Sequence, residues 1–282
     1  MELSIKELRE ILRDTYQIEM VPAAELERLL LNQKQGEETP TPKAPAPNKL
    51  FPVEFTPRDI EIFEYVTANK LTMVPRDGLI NTILSAHYVV KNDIDGDFVE
   101  CGVWRGGNAL AAKLVFDELQ SNKKAWLYDT FLGMTEPEDL DFQLQSGKSA
   151  HSEFLKRQKE DHNAWCYASV EDVQQNLTAA GVALEGVRIV KGDIIETLKH
   201  AENIPDSISA LRLDTDWYAS TKVEMQVLYP RLTLNGVLIV DDYGYWNGSR
   251  KAIDEFFANS DYERPFLQVV YVTGTRCGIK TS

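Results

Sequence analysis

The feature that most limits the fold is an alternation of short apolar runs with helical stretches. Residues 98–101, 125–128, 187–190, 210–213 and 237–240 are apolar runs of strand length. Segments 107–119, 169–180 and 221–232 carry apolar residues at helical spacing and lie between most of them. Near-continuous apolar strands that alternate with helices predict a parallel sheet covered on both faces. Thr56-Pro57 opens a helix to about Lys70, and a second runs over 79–91. A further helix over 249–258 precedes two last strands, 267–273 and 276–280. Gly274 joins these two in a hairpin, so one strand is antiparallel. The expected fold class is α/β: a mostly parallel seven-stranded sheet, helices on both faces and a C-terminal antiparallel hairpin.

Three further stretches shape the domain plan. Residues 1–34 hold two short apolar-faced helical patterns, too small for a core of their own. They are expected to dock, either on a twin in a homodimer or on a partner in a larger assembly. Residues 35–50 follow, with four prolines in the eight positions 40–47, and form a semi-rigid linker. The domain proper is expected over 51–282. Within it, 132–167 is long, polar and acidic, with Glu136, Glu138, Asp139 and Asp141, and a short helix is expected over 152–159. A loop of that length in a compact domain is usually functional, and it is expected to act as a lid.

Composition removes several classes. Lys plus Arg number 30 against 44 Asp plus Glu, a net charge of −14, which argues against a nucleic-acid partner. Cys101, Cys166 and Cys277 are far apart, so neither a disulfide framework nor a structural zinc site is expected. No signal-peptide core and no run of about 18 apolar residues is present, so no membrane contact and a cytoplasmic location are expected.

The carboxyl ends of parallel strands are where ligands bind in such sheets. The first run ends Glu100-Cys101-Gly102-Val103-Trp104-Arg105-Gly106-Gly107 and turns into a helix. Gly102 suits the tight turn, and Gly106 and Gly107 would let a ligand approach the helix start. The spacing matches no pyrophosphate-binding motif, so the ligand expected here lacks phosphate. Asp129 closes the second run, placed to accept hydrogen bonds from a ribose diol, and Asp193 follows the third. A nucleoside without phosphate points to S-adenosylmethionine, although each acid alone could be a plain loop cap. The fourth and fifth runs end in Asp214-Thr215-Asp216 and Asp241-Asp242. Neighbouring strands lie about 4.8 Å apart, so four carboxylates would converge there. Repulsion then calls for a proton or a cation, and oxygen ligands suit Mg²⁺ or another hard divalent ion.

These motifs, with Asp129-Thr-Phe-Leu-Gly-Met134, Leu211-Arg-Leu-Asp-Thr-Asp216, Leu228-Tyr-Pro-Arg231 and Val240-Asp-Asp-Tyr-Gly244, resemble the macrocin O-methyltransferase family over roughly 71–257. Its members are metal-dependent enzymes that methylate sugar hydroxyls on macrolide and aminocoumarin antibiotics. The resemblance implies a Rossmann-like class I methyltransferase fold and S-adenosylmethionine as donor. It further implies a hydroxylated natural product, such as a sugar or vicinal diol, as acceptor. The cofactor would lie against Glu100, Gly102, Gly106, Gly107, Asp129 and Asp193. Asp214, Asp241 and Asp242 match the positions of the family's metal ligands, and Asp216 that of its general base. Relatives are commonly dimers.

Two other assignments compete at this point. Asp214-Thr215-Asp216 is also a DxD pattern of nucleotide-sugar glycosyltransferases, and a non-catalytic scaffold could dock through residues 1–34. His151 or His162 could supply a base from the lid. Trp217, Tyr218, Tyr243, Tyr245 and Trp246 cluster near the acidic strand ends and could line an acceptor pocket.

Overall fold

The computed structural model describes residues 51–282, so the expected helices of 1–34 and the linker of 35–50 lie outside the described residues. The helix α1 (Pro57–Ala68) begins where the sequence predicts. Thr56 caps it through its side-chain oxygen, which accepts the Asp59 N–H, while the Asp59 carboxylate accepts the Thr56 N–H. Pro57 sits in the first turn, where its missing N–H is not needed. Then follow α2 (Arg76–Lys91), β1 (Asp97–Cys101), α3 (Gly107–Glu118), β2 (Ala125–Asp129), α4 (His151–Arg157), α5 (Val170–Ala179) and β3 (Val187–Lys191). The chain continues through α6 (Ile194–Thr197), β4 (Ile208–Leu213), α7 (Tyr218–Val227), β5 (Leu232–Val240), α8 (Asn247–Asn259), β6 (Gln268–Val269) and β7 (Arg276–Ile279).

The seven strands make one sheet in the order β3-β2-β1-β4-β5-β7-β6. The first five are parallel; β7 runs antiparallel to β5, and β6 antiparallel to β7. The chain steps outward from β1 to β3, then returns to the far side of β1 with β4 and β5. That reversal opens a crevice at the carboxyl ends of β1 and β4. The hairpin is present, but its first arm is two residues long rather than seven. Phe266, Val269 and Val272 stand in solvent at the sheet edge, so no burial extends the pairing. β5 starts five residues before its apolar run, and its exposed Leu234 and Asn235 fall in the irregular stretch between the pairs Ile208 with Leu232 and Ala210 with Val237.

All six residues of β4 are buried, as the central strand of a doubly covered sheet should be. On one face Met225 of α7, its C-cap Leu228 and Ile253 of α8 pack on Val99, Leu211, Leu213, Leu238 and Val240. Each such side chain contributes about 1.5–3 kcal/mol relative to exposure. Register then sets the site. Cys101 pairs with Leu213, and Leu213 with Val240. The ladder runs one residue further: Asp214 N–H donates to Cys101 O at 2.8 Å and Asp241 N–H to Leu213 O at 2.9 Å. Asp214 and Asp241 therefore stand side by side. Gly102 makes room for them, because with φ of 83° any Cβ there would lie 2.0 Å from the Asp214 carbonyl oxygen.

The 132–167 segment is tied to the loops after β4 and β5. Trp217 Nε1–H donates to Thr135 O at 3.0 Å, Asn247 N–H to Phe142 O at 2.9 Å and Leu144 N–H to Tyr245 O at 2.9 Å. Asp141, fully buried, accepts Tyr218 N–H at 2.9 Å and so caps α7, a helix with no side-chain cap of its own. The short helix of this segment ends two residues before the predicted end. Among the described residues, no helix is long and apolar enough to cross a membrane.

One buried acid belongs to α7 itself. The Glu224 carboxyl is fully buried, accepts the Thr215 hydroxyl at 2.8 Å through Oε1, and has no partner for Oε2. Burial pushes it up from 4.5 to about 8. The folded protein keeps a proton there that the unfolded chain has released, so this group lowers stability progressively as pH rises from 4.5 to about 8. Glu224→Gln removes the titration. Its Tm should equal that of the wild type near pH 5 and exceed it above pH 8 in thermal unfolding; a deficit that is the same at both pH values would contradict this.

Candidate active site

Asp214, Asp216, Asp241 and Asp242 meet at the carboxyl ends of β4 and β5, as the strand pattern predicts. One oxygen from each of Asp214, Asp241 and Asp242 lies within 4.8 Å of the others. Charges so close repel, and two features oppose the repulsion. Arg212 Nη2 donates to Asp214 Oδ2 at 2.9 Å and to Asp241 Oδ1 at 3.0 Å. The second is a raised affinity of the acids for protons. Burial foremost, and then the neighbouring carboxylates, holds Asp214 and Asp242 well above the usual carboxylate range, while Arg212 pulls the other way.

Asp216 occupies the left-handed region with φ of 67°, which a residue with a Cβ rarely adopts and which recurs at functional sites. Its Oδ1 accepts the Trp246 indole N–H at 2.5 Å. Burial, then the charge of Asp214, pushes its carboxyl up to about 8. Asp242 Oδ2 is buried with no N–H or hydroxyl donor of another residue beside it, and the Asp216 carboxyl lies within hydrogen-bonding reach of Asp242. Hard oxygen donors gathered around such a carboxylate oxygen fit a hard divalent cation, whose charge would offset the repulsion.

A cavity of about 860 Å³ opens beside these acids, within the usual range of small-molecule sites. Glu100, Gly102, Asp129 and Asp193 line it. Glu100 Oε2 accepts the Ala109 N–H at 3.1 Å in the first turn of α3, and burial pushes its carboxyl up to about 7. Asp129 already accepts Val103 N–H and Trp104 N–H on Oδ2 and Phe131 N–H on Oδ1, which braces the glycine turn and leaves little acceptor capacity. Asp193 accepts the Ile195 N–H at 2.9 Å, the plain loop cap that the sequence also allowed. Gly106 and Gly107, expected beside the ligand, do not line the cavity. Their N–H groups donate to Val103 O and Leu71 O, and a Cβ on Gly107 would lie 2.5 Å from Leu71 O. These two glycines serve close packing of α3.

The aromatic cluster divides. Trp217, Tyr245 and Trp246 line the cavity, joined by Trp165 from the 132–167 segment. Trp217 and Trp246 meet edge to face with ring centres 5.0 Å apart. Tyr218 and Tyr243 turn away and donate to Glu255 and Asp254 on α8. Neither His151 nor His162 lines the cavity. His162 pairs with Asp161 at 2.7 Å, and His151 stands 3.8 Å from Glu136.

Two participants escape the sequence reading. Arg212 was legible in principle, because a charge inside an apolar central strand must find partners. Thr275, whose hydroxyl donates to Asp241 Oδ1 at 2.9 Å, carries no local signal; it comes from the loop before β7, 34 residues on.

Comparison with known proteins agrees with this architecture. Residues 16–275 match the macrocin-O-methyltransferase (TylF) family. The demethyldecarbamoylnovobiocin O-methyltransferase of Streptomyces niveus is 30% identical over 195 residues, 69% of this chain and 70% of that protein. The 8-demethyl-8-(2,3-dimethoxy-alpha-L-rhamnosyl)-tetracenomycin-C 4'-O-methyltransferase of Streptomyces olivaceus is 28% identical over 199 residues, 70% of this chain and 72% of that protein. The fold is that of the O-methyltransferase NovP, with a TM-score of 0.66 and 24% identity, covering 79% of this chain and 98% of that one. The chain is therefore an O-methyltransferase and belongs to the macrocin-O-methyltransferase family.

Proposed function

We propose that this enzyme transfers the methyl group of S-adenosylmethionine to a hydroxyl of a sugar or vicinal diol on a natural product, with a divalent cation held by Asp214, Asp241 and Asp242. The observation that carries this reading is the buried Oδ2 of Asp242, with no N–H or hydroxyl donor beside it, among three converging carboxylates. The Streptomyces olivaceus relative, whose name gives a rhamnosyl-bearing substrate, supports the acceptor class. Membership of a methyltransferase family leaves no ground for the glycosyltransferase or scaffold alternatives.

An alcohol is a poor nucleophile until its proton leaves, and a divalent cation supplies the Lewis acidity that makes a nearby hydroxyl more acidic. Asp216 takes that proton. The indole of Trp246 holds its Oδ1, and its carboxyl also shares a hydrogen bond with Asp242, so a proton taken up there is shared with a neighbouring acid. A carboxyl raised by burial is a stronger base than an exposed one, which suits this role. Trp165, Trp217 and Trp246 pack together in the cavity wall and would limit water near the reacting centre once an acceptor is bound. The turn at Gly102, braced by Asp129, would receive the donor nucleoside. The 132–167 segment acts as the lid that contacts the rest of the acceptor, and residues 1–34 serve docking or homodimer formation.

Three substitutions separate these roles. Asp241→Asn should weaken Mg²⁺ binding by about tenfold or more and turnover with it, while S-adenosylmethionine affinity stays near wild type; equal losses in both would contradict the assignment. Asp129→Ala should do the reverse, and unchanged donor affinity in calorimetry would move the donor pocket elsewhere. Asp216→Asn should lower kcat by about 10²–10⁴-fold with Mg²⁺ and donor binding retained. A kcat within a few-fold of wild type would remove Asp216 as the base.

A further inference from the structure

Arg212 is the largest fully buried side chain described, 1% exposed on the central strand β4. A guanidinium has no ordinary reason to be there, because burial of a charge is costly unless partners repay it. Burial does work against its charge, but Asp214, Asp241 and Glu100 outweigh that and hold it above its ordinary pKa. Every charged partner lies toward the strand ends. Nη2 reaches Asp214 Oδ2 and Asp241 Oδ1, and Nε lies 3.4 Å from Glu100 Oε1. Nε and Nη1 have no hydrogen-bond partner. A side chain selected only to fill the core would not be a cation whose contacts are all with carboxylates at the strand ends. The contacts are also selective: one oxygen of Asp214 and one of Asp241 bond to Arg212, with Thr275 on the same Asp241 oxygen, and the second oxygen of each remains for another cation.

We propose that Arg212 is a built-in counter-cation and positioning residue, which keeps Asp214 and Asp241 assembled whether or not a divalent ion is bound. The inference rests on the cation site proposed above. Guanidinium and divalent ion then share the same carboxylates. Each makes the other less necessary, so their effects on stability and affinity must be coupled with negative sign.

The test is thermal unfolding of wild type, Arg212→Met and Arg212→Lys in EDTA and in MgCl₂, with calorimetric titration of each by MgCl₂. In EDTA, R212M should melt about 10 °C below wild type, since a buried charge cluster loses its partner. Mg²⁺ should restore most of that loss and should bind R212M about tenfold more tightly than wild type, because a nearby positive charge is gone. R212K keeps the charge with fewer contacts and should fall between the two; it carries the comparison if R212M does not fold in EDTA. Equal stability loss with and without Mg²⁺, or weaker Mg²⁺ binding in the folded variant, would overturn the proposal. Absence of Mg²⁺ binding to wild type would instead contradict the cation site itself.

Discussion

Four carboxylates can share a buried corner at the ends of two neighbouring strands only if positive charge or protons share it with them. Much of this structure follows from that constraint. β4 must be central, because only a central strand brings its end beside both the glycine turn of β1 and the acids of β5. It must carry Arg212 two residues before Asp214, because alternate residues on a strand point to one face and the guanidinium then lies beside the first carboxylate. Gly102 must lack a side chain, because the Asp214 carbonyl occupies the space.

The same corner organises the 132–167 segment. Asp141 caps α7, the helix that leaves the Asp214–Asp216 turn, and the Trp217 indole holds Thr135. Trp246, which fixes Asp216, lies next to Asn247, whose N–H and side chain bind Phe142 O and Leu140 O. The walls of the cavity and the geometry of the acids are therefore set by one hydrogen-bonded network. Substitutions in the segment should move the acids as well as the acceptor contacts.

Much of this was legible in the sequence. The five apolar runs fall on β1 to β5, and the fourth and fifth end abruptly in the carboxylates that meet beside the cavity. This works because parallel strands put their chemistry at one end and because burial on both faces leaves a strong apolar signal. What local pattern cannot show is which atoms are already used. Asp129 and Asp193 sit at the expected strand ends, yet backbone amides occupy much of their acceptor capacity. Gly106 and Gly107 look like a ligand cradle, yet neither lines the cavity: Gly106 takes a left-handed turn and Gly107 packs against the Leu71 backbone. Thr275 enters through the hairpin, and no spacing rule joins it to Asp241. The edge strand β6 is short for a related reason: apolar composition predicts a strand, but only burial or pairing on both sides maintains one.

In the reading proposed above, the crevice at the β1–β4 reversal holds S-adenosylmethionine beside the carboxylates. Calorimetric titration of the metal-stripped, folded protein with S-adenosylmethionine tests it most directly. Saturable binding in the micromolar range, with one molecule per chain, is the predicted result. No heat of binding from a protein whose circular dichroism shows it folded would contradict the account.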